Sequence, residues 1–370
     1  AIALSRKLDF QPHFLELVLI AFPVMIVPYS LLNGYDPLRI VIDAARPGLF
    51  LVNVILFSRI FPYADRAIFT RWLAFVMLAG TASVSYSFIF LFGIGLVKES
   101  ASDISLVMPF LFFVVLRKWP YIAMGLVALL IGGKLGPAFS AAFALGLYVV
   151  ARHRIVLALA PIIFAVLFIG LEGIQFIYGS EALSNVGIIA KTRFLASGGD
   201  IFDMDLLDQF FLGGRIEEAT RAIEPLETAG FNPLVGMGPG FTYTSSIDGA
   251  GGHGVHFTPL SICTFYGVGY FVVLFILLVR TIFDKFLSTV ASDQSDKFVA
   301  AAALFGSAFL LNSLSAYTIF ISPQFALTLG ILRWAYLERR RQAPESAAAG
   351  PQEPSELDAV PAGPLLPRRR

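Results

Sequence analysis

Long apolar segments separated by short polar ones recur along the chain. A helix that crosses a lipid bilayer needs about 20 mostly apolar residues, and rarely fewer than about 17. Candidate segments occupy residues 13–31, 38–57, 71–92, 103–116, 119–133, 136–151, 155–177, 257–279, 298–317 and 319–337. The pattern therefore predicts an all-α polytopic membrane protein with about 10 transmembrane helices.

The fourth, fifth and sixth of these segments fall below the usual spanning length. Pro109, Pro120 and Pro137 interrupt this part of the chain. Proline disfavours the continuation of a helix because it lacks an N–H group and its ring clashes with the preceding turn. We therefore expect these segments to be kinked or re-entrant.

Lysine and arginine fall in alternate connections between the segments. Cytoplasmic loops of membrane proteins carry an excess of these residues. If the N-terminus, with Arg6 and Lys7, is cytoplasmic, the basic connections all lie on the same side. They hold Arg59, Arg66, Arg71, Arg117, Lys118, Arg152, Arg154, Arg280, Lys285, Lys297 and Arg339–Arg341. The sequence thus predicts that both termini are cytoplasmic and that the long connection lies outside.

That long connection, residues 178–256, is hydrophilic and exceeds what a link between two helices requires. Residues 230–254 within it hold eight glycines, which indicates a tight loop that a ligand can approach closely. The predicted organisation is seven helices in 1–177, a loop domain in 178–256 and three helices in 257–341. Residues 342–370, rich in Ala, Pro and Glu, are predicted to form a disordered cytoplasmic tail.

Composition excludes several classes of protein. Hydrophobic residues make up 57% of the chain and charged residues 14%, whereas soluble domains carry about 25% charged residues. The net charge of +1 gives no global field that would attract nucleic acid. The single cysteine, Cys263, rules out an intrachain disulfide, and its apolar surroundings predict a buried side chain. P-loop, dinucleotide-binding and His-Glu-x-x-His zinc motifs do not occur.

The outer loop carries ten carboxylates and four strong bases, which leaves it with a net charge of −6. An anion site here must therefore be local and made by particular basic side chains. Arg215 and Arg221 are six residues apart, about 1.7 helical turns, so they do not share one face of a helix. Both can form helix-surface ion pairs with nearby glutamates, and both can bind an anion.

Two histidines and a lysine are further candidates for chemistry. His253 and His256 lie just before the eighth apolar segment, where either can cap the helix or act as a general base toward a hydroxyl. A His-x-x-His pair also suits a metal, but no third ligand lies nearby, so we expect no metal site. Lys134, between two apolar segments, either snorkels to the interface or faces a lipid phosphate.

Asp43 and Arg46 are ionisable residues inside the second apolar segment. Three residues apart, they can neutralise each other on one helix face, so we interpret them as structural. A transporter needs such groups lining a midplane site, and the chain offers few of them. The sequence therefore gives a transporter little support.

Short motifs occur in a fixed order on the predicted outer side. Residues 232–241 read Asn-Pro-Leu-Val-Gly-Met-Gly-Pro-Gly-Phe. The flanking motif residues are Gly213-Gly214-Arg215 before them and His256, Gly267 and Tyr270 after them, with Gly132-Gly133-Lys134 and Arg152-His153-Arg154 further upstream. In order, spacing and predicted side of the membrane, these motifs resemble those of the bacterial superfamily of O-antigen ligases and Wzy-type polysaccharide polymerases. Lys134 stands where that family usually has arginine.

The resemblance implies a GT-C-like, metal-independent glycosyltransferase without a cofactor, whose donor is a glycan on undecaprenyl pyrophosphate. It implies that Arg215 and His256 are catalytic, with the guanidinium holding the pyrophosphate and the imidazole activating the acceptor hydroxyl. The implied substrate-binding residues are Arg221, Arg193, Lys134, His253, Gly238 and Gly240. Arginine suits this role because it binds phosphate through bidentate, charge-assisted hydrogen bonds and stabilises charge on the leaving group.

The first function that the resemblance implies is polymerisation of lipid-linked repeat units into exopolysaccharide or O-antigen at the periplasmic face of the inner membrane. Phe257 and Phe265 replace polar residues that are common in ligases, which favours a polymerase. The alternative is a ligase that transfers the glycan to lipid A core or protein, and a further alternative is a polysaccharide transporter or flippase. Expected partners are the undecaprenyl-pyrophosphate-linked glycan, membrane lipids, a flippase and a chain-length regulator, but no nucleic acid.

Overall fold

Helices form nearly all of the chain that the structure describes. The computed structural model describes residues 13–86, 104–131, 135–152, 219–220, 223, 231–244, 251–252, 258–284, 286–292, 296–313 and 319–348. The N-terminal helices are α1 (Phe14–Met25), α2 (Val27–Leu32), α3 (Pro37–Ile60), α4 (Arg66–Tyr86), α5 (Val107–Leu116), α6 (Trp119–Ile131) and α7 (Leu135–Arg152). The C-terminal helices are α8 (Thr258–Phe283), α9 (Phe286–Ala291), α10 (Lys297–Ser313) and α11 (Pro323–Ala348).

Short elements complete the described architecture. Turns of 3₁₀ helix occupy Phe61–Tyr63, Ile104–Leu106 and Ile319–Ile321. The two-residue strands β1 (Tyr243–Thr244) and β2 (Gly251–Gly252) pair antiparallel, with Tyr243 opposite Gly252. The described chain is therefore mostly helical, apart from this small pairing and the loop of residues 231–242.

Proline and aspartate set several helix starts. Asp36 caps α3, because its Oδ1 accepts the N–H of Leu38 at 3.0 Å and Pro37 fills the first helical position. Pro109, Pro120 and Pro137 each lie in the first turn of a helix, α5, α6 and α7 respectively. The first turn has no intrahelical partner for its N–H groups. These prolines therefore lie at helix starts, whereas we had expected kinks within the segments.

Four described stretches are long and apolar enough to cross a membrane: Phe14–Leu32, Pro37–Tyr63, Arg66–Tyr86 and Thr258–Ala291. Shorter apolar helices cover Ile104–Leu116, Trp119–Leu129, Gly136–Arg152 and Lys297–Ser313. Large apolar side chains on the long helices face outward, such as Phe75, which is 68% exposed. The described chain is thus mostly helical and compatible with a membrane protein.

The predicted apolar segments can be compared with these helices one by one. Every segment except 155–177 overlaps a described helix, and 155–177 lies outside the described residues. Ten spans, the domain boundaries and the outer position of 178–256 stay predictions. Helix α11 continues to Ala348, beyond the boundary at 341 that we expected for the tail. Residues 342–348 contain alanine and glutamate, which are strong helix formers, but also Pro344, so helix propensity alone does not explain the extension.

The core of the membrane-compatible unit lies around α10. This helix packs against α5 and α7, and almost every described residue along it is buried. Small residues from Ala300 to Ala303 let the neighbouring backbones approach, and Phe309 stacks on Phe325 of α11 with ring centroids 4.2 Å apart. Cys263, in contrast to our expectation, is only partly buried.

An ion pair between α1 and α11 is enclosed by this core. Nε and Nη2 of Arg333 donate to the two carboxylate oxygens of Glu16 at 2.7 and 2.9 Å, and Nη1 donates to Ser58 Oγ of α3 at 3.0 Å. Both charged side chains are 6% exposed. Because a bidentate pair is strong and directional, this contact fixes three helices relative to one another. The pair was not predicted from the sequence, although a charge inside an apolar segment signals a partner.

The chain divides after Trp334 into two units, the second starting at Ala335. Within the second unit, the guanidinium of Arg340 lies 5.3 Å from the ring centroid of Tyr336, a cation–π contact along the helix. Nε of Arg339 donates to the carbonyl of Ala335 one turn earlier, at 3.2 Å. This basic end of α11 is thus stabilised by local contacts.

Candidate functional site

Residues 232–241, which carry the strongest of the sequence motifs, form a compact loop that we call the glycine loop. It begins with a side-chain turn, because Asn232 Oδ1 accepts the N–H of Leu234 at 2.9 Å. The carbonyl of Asn232 then accepts the N–H of Gly236 at 2.7 Å. Asn232 to Leu234 are exposed, whereas residues 236–241 are buried. The loop therefore has an exposed entrance and a buried base.

The glycines of this loop are required by its backbone. Gly236, Gly238 and Gly240 have φ of 66°, 93° and 85°, in the left-handed region that side chains disfavour. A Cβ at Gly240 would lie 2.7 Å from Ile40 Cγ1 of α3. A Cβ at Gly238 would collide with Ser30 Oγ of α2. The alternate glycines thus let the loop backbone press directly onto two helices.

Gly236, the remaining glycine of the loop, lies against α8 at a break in that helix. Gly267 of α8 has φ 84° and ψ 163°, which is not helical. In an uninterrupted helix the N–H of Val268 would donate to the carbonyl of Thr264. Here Val268 donates to the carbonyl of Pro233 at 2.8 Å, and Thr264 accepts from Met237 N–H at 2.7 Å. The glycine loop therefore inserts into the hydrogen-bond ladder of α8 and satisfies both groups.

A buried carboxylate attaches the base of the loop to α3. Asp43 is 1% exposed, and its Oδ2 accepts the N–H of Gly240 at 3.0 Å. Its Oδ1 accepts from Arg46 Nη1 at 3.1 Å, so the predicted pairing of Asp43 and Arg46 is confirmed. Its backbone carbonyl accepts the hydroxyl of Tyr266 at 2.7 Å. Asp43 thus joins α3, the glycine loop and α8, a connection that the sequence did not reveal.

The connection between α2 and α3 also meets the loop. The rings of Tyr35 and Phe241 lie edge to face with centroids 6.0 Å apart. Burial raises the pKa of the Tyr35 phenol above its usual value of 10.0, and the nearby Tyr29 adds to the rise. Two segments that the sequence predicts on the outer side therefore pack together.

Buried hydroxyls lie at the base of the loop. Ser30 Oγ and Thr264 Oγ1 have no hydrogen-bond partner among the described residues. Thr264 supplies the carbonyl that receives the loop, and Ser30 contacts Gly238. Polar groups inside apolar helices are costly and tend to mark functional regions.

The predicted site residues divide into two groups. Gly238 and Gly240 lie in the described loop, where they make the contacts above, and their contact with a glycan stays a prediction. The other predicted site residues fall outside the described part of the chain: Arg215, His256, Arg221, Arg193, Lys134 and His253.

Among the residues that the structure describes, no group of three or more His, Cys, Asp or Glu side chains is arranged to hold a metal ion. Metal-independent chemistry stays a prediction, since both candidate histidines, His253 and His256, lie beyond the described residues.

Gly267 is the residue whose importance the sequence understated. It appears in the motif pattern, but nothing in that pattern shows that it breaks α8. A glycine inside an apolar helical segment is the signal that could have found the break, because such a glycine often marks close approach of another backbone.

A comparison with family models finds none that matches this chain, and a comparison with curated proteins finds no match either.

Proposed function

We propose that the chain is a membrane-embedded glycosyltransferase that polymerises oligosaccharide repeat units carried on undecaprenyl pyrophosphate, at the periplasmic face of a bacterial inner membrane. The observation that carries this proposal is the insertion of the glycine loop into α8. Non-helical backbone at membrane depth is tolerated where protein buries it or where it lines a cavity, and broken helices commonly form binding sites. The motif with the strongest family resemblance is the one that makes this insertion.

Position along the chain supports the same proposal. His256 precedes the first residue of α8, Thr258, by two residues, and the loop contacts α8 at Thr264 and Gly267. A rigid loop joined to three helices is a suitable platform for catalytic groups, because catalysis requires reacting atoms to be held in a near-attack geometry. The candidate base, His256, thus lies just before α8, the helix that the glycine loop contacts.

The proposed reaction is a glycosyl transfer. The acceptor hydroxyl attacks the anomeric carbon of the lipid-linked donor and loses its proton to the imidazole of His256. The bond from that carbon to the pyrophosphate oxygen breaks, and undecaprenyl pyrophosphate leaves with the electron pair. Arg215 stabilises the charge that develops on the departing oxygen. The donor is already activated by its pyrophosphate, so no nucleotide-sugar site is needed.

Turnover by the purified chain tests this proposal. The protein is reconstituted in vesicles with a lipid-linked repeat unit, with and without EDTA, and products are separated by size. Arg215→Ala and His256→Ala are expected to abolish long products, while Arg39→Ala, at an exposed arginine that pairs with the cap residue Asp36, retains them. His253→Ala decides between the two histidines. Full-length polymer from all variants, or a strict metal requirement, overturns the assignment.

Cells that lack the gene separate the related activities. Single repeat units still attached to the lipid A core, with polymer absent, identify a polymerase. Lipid-linked polymer that accumulates without attachment identifies a ligase. Movement of the lipid-linked glycan across vesicles without a new glycosidic bond identifies a transporter and contradicts the proposal.

A further inference from the structure

Basic side chains meet at a cavity of about 180 Å³ between the ends of four helices. Arg117 follows the last residue of α5, Arg152 ends α7, Lys297 begins α10, and Ser292 follows α9. Within the described ranges, neither Arg117 nor Lys297 forms an ion pair with a carboxylate. Arg117 and Lys297 therefore bring to the cavity positive charge that no described carboxylate neutralises.

Helix dipoles explain only part of this arrangement. An arginine at the end of α5 or α7 complements the partial negative charge of a helix C-terminus. Lys297 is at the N-terminus of α10, where the dipole is positive and disfavours a cation. The α10 cap, Asp296, accepts the N–H of Phe298 at 2.8 Å and pairs with Arg66 at 3.3 Å. The helix dipole therefore does not explain the lysine in this position.

The backbone of Arg117 gives independent support. Its φ of 56° is left-handed, and among the described residues it is the only non-glycine with positive φ. Glycine is the usual residue where a helix ends in this conformation, because a side chain there is disfavoured by about 1–2 kcal/mol. Arginine occupies this disfavoured position, and its side chain lines the cavity.

An apolar cavity of about 360 Å³ adjoins the basic one and shares Arg117 and Arg152 with it. Its lining is otherwise mostly apolar and comes from α5, α6 and α7, including Leu126. Trp119, 74% exposed, stands at this cavity, and tryptophan is enriched where a membrane meets water. Arg152 Nη1 lies 3.1 Å from the hydroxyl of Tyr148, which also lines the cavity. A basic head region thus continues into an apolar slot.

We propose that these joined cavities bind one anionic phospholipid, with its phosphate among Arg117, Arg152 and Lys297 and an acyl chain in the apolar slot. Charge complementarity selects the phosphate, and the apolar lining beside it selects a lipid over a free anion. Basic pockets between membrane helices are a known means of binding such headgroups. The inference rests on the membrane-compatible helices and does not depend on the proposed glycosyltransferase activity.

Native mass spectrometry of the full chain tests the inference. Protein in detergent is titrated with phosphatidylglycerol or phosphatidylcholine of the same acyl chains, and retained lipid is counted. The wild type is expected to retain phosphatidylglycerol preferentially. Arg117→Gln with Lys297→Gln lowers that retention about 30-fold, from two lost phosphate contacts. Retention of phosphatidylcholine, whose cationic choline the basic side chains repel, starts lower and falls less. Arg39→Gln, which removes one positive charge from a surface arginine outside both cavities, serves as the control for loss of charge elsewhere.

A separate variant tests the role of the apolar slot. Leu126→Trp, at a side chain 45% exposed, fills the slot without altering charge and is expected to lower phosphatidylglycerol retention. Inorganic phosphate is expected to compete weakly, because it lacks the chain. Equal retention of both lipids by the wild type, full displacement by inorganic phosphate, or no effect of Leu126→Trp each overturns the proposal. The wild-type and Leu126→Trp measurements decide it even if the charge variant does not fold.

Discussion

Asparagine in place of Asp43 tests whether one carboxylate holds the glycine loop on α3. In the structure each carboxylate oxygen has its own donor, Gly240 N–H at 3.0 Å and Arg46 Nη1 at 3.1 Å. Asparagine has the same shape but only one acceptor oxygen and no charge. One of the two donors therefore loses its acceptor, and the other keeps a neutral one.

The size of the effect follows from these contacts. A hydrogen bond to a charged group contributes about 1.5–3 kcal/mol and a neutral one about 0.5–1.5 kcal/mol. Asp43 is 1% exposed, so water cannot replace the lost acceptor, whereas Arg46 is 31% exposed and its pairing contributes little. We expect Asp43→Asn to lower the free energy of unfolding by about 2–3 kcal/mol. If the loop opens locally, its amide exchange rises about 30- to 150-fold.

The assay combines hydrogen exchange of the peptide covering residues 236–241 with reversible unfolding in detergent. Asp36→Asn is the matched control, since it makes the same chemical change at the start of the same helix. Asp36 is 53% exposed, and asparagine caps a helix as well as aspartate does. We expect the control to change the free energy of unfolding by less than about 0.5 kcal/mol.

Equal exchange and equal stability in Asp43→Asn and Asp36→Asn would refute the reasoning, because the buried carboxylate would then not hold the loop. If the proposed polymerase activity is also correct, Asp43→Asn lowers turnover while Asp36→Asn does not. A destabilised loop with unchanged turnover would separate the structural claim from the catalytic one.

Other contacts lead to further predictions. Arg333→Met is expected to lower the free energy of unfolding by about 3–5 kcal/mol in detergent, because it leaves Glu16 buried without its partner, and Glu16→Leu in the same chain should restore much of the loss. Gly267→Ala is expected to release the glycine loop, since a Cβ there meets the carbonyl of Leu234, whereas Gly269→Ala, with open space around it, should be neutral or stabilising by the same unfolding measurement. The raised pKa of Tyr35 means that the unfolded chain ionises first, so stability contributed by the neutral phenol is complete below pH about 10 and falls above it. Tyr35→Phe should therefore reduce the loss of stability between pH 9 and 11, measured as the free energy of unfolding; an unchanged loss contradicts the burial of this phenol.

The positions of the helices could be predicted from the apolar segments, because burial or contact with lipid requires apolar side chains along each helix. The Asp43–Arg46 pair was also predictable, since residues three apart share a helix face. Proline was misjudged because its effect depends on position. Pro109, Pro120 and Pro137 interrupt nothing when they occupy a first turn, and the apolar pattern alone does not locate that turn.

Long-range contacts of the candidate site could not be predicted from the sequence. Gly240 and Asp43 are 197 residues apart, and no local pattern links them. The glycines at 236, 238 and 240 indicated a tight loop, but not that its backbone would replace a hydrogen bond of α8 between Thr264 and Val268. Such an exchange of backbone partners depends on two segments meeting in space.

The contact between Glu16 and Arg333 has a consequence for the way the chain is made. The two residues are 317 positions apart in the sequence. At a synthesis rate of about 5–20 residues per second, Arg333 is therefore made roughly 15–60 s after Glu16. Until then α1 lacks the partner that fixes it to α11. A ribosome that stops anywhere before Arg333 leaves an incomplete bundle, and a pulse-chase experiment should find such truncated chains degraded faster than those that end just after Trp334.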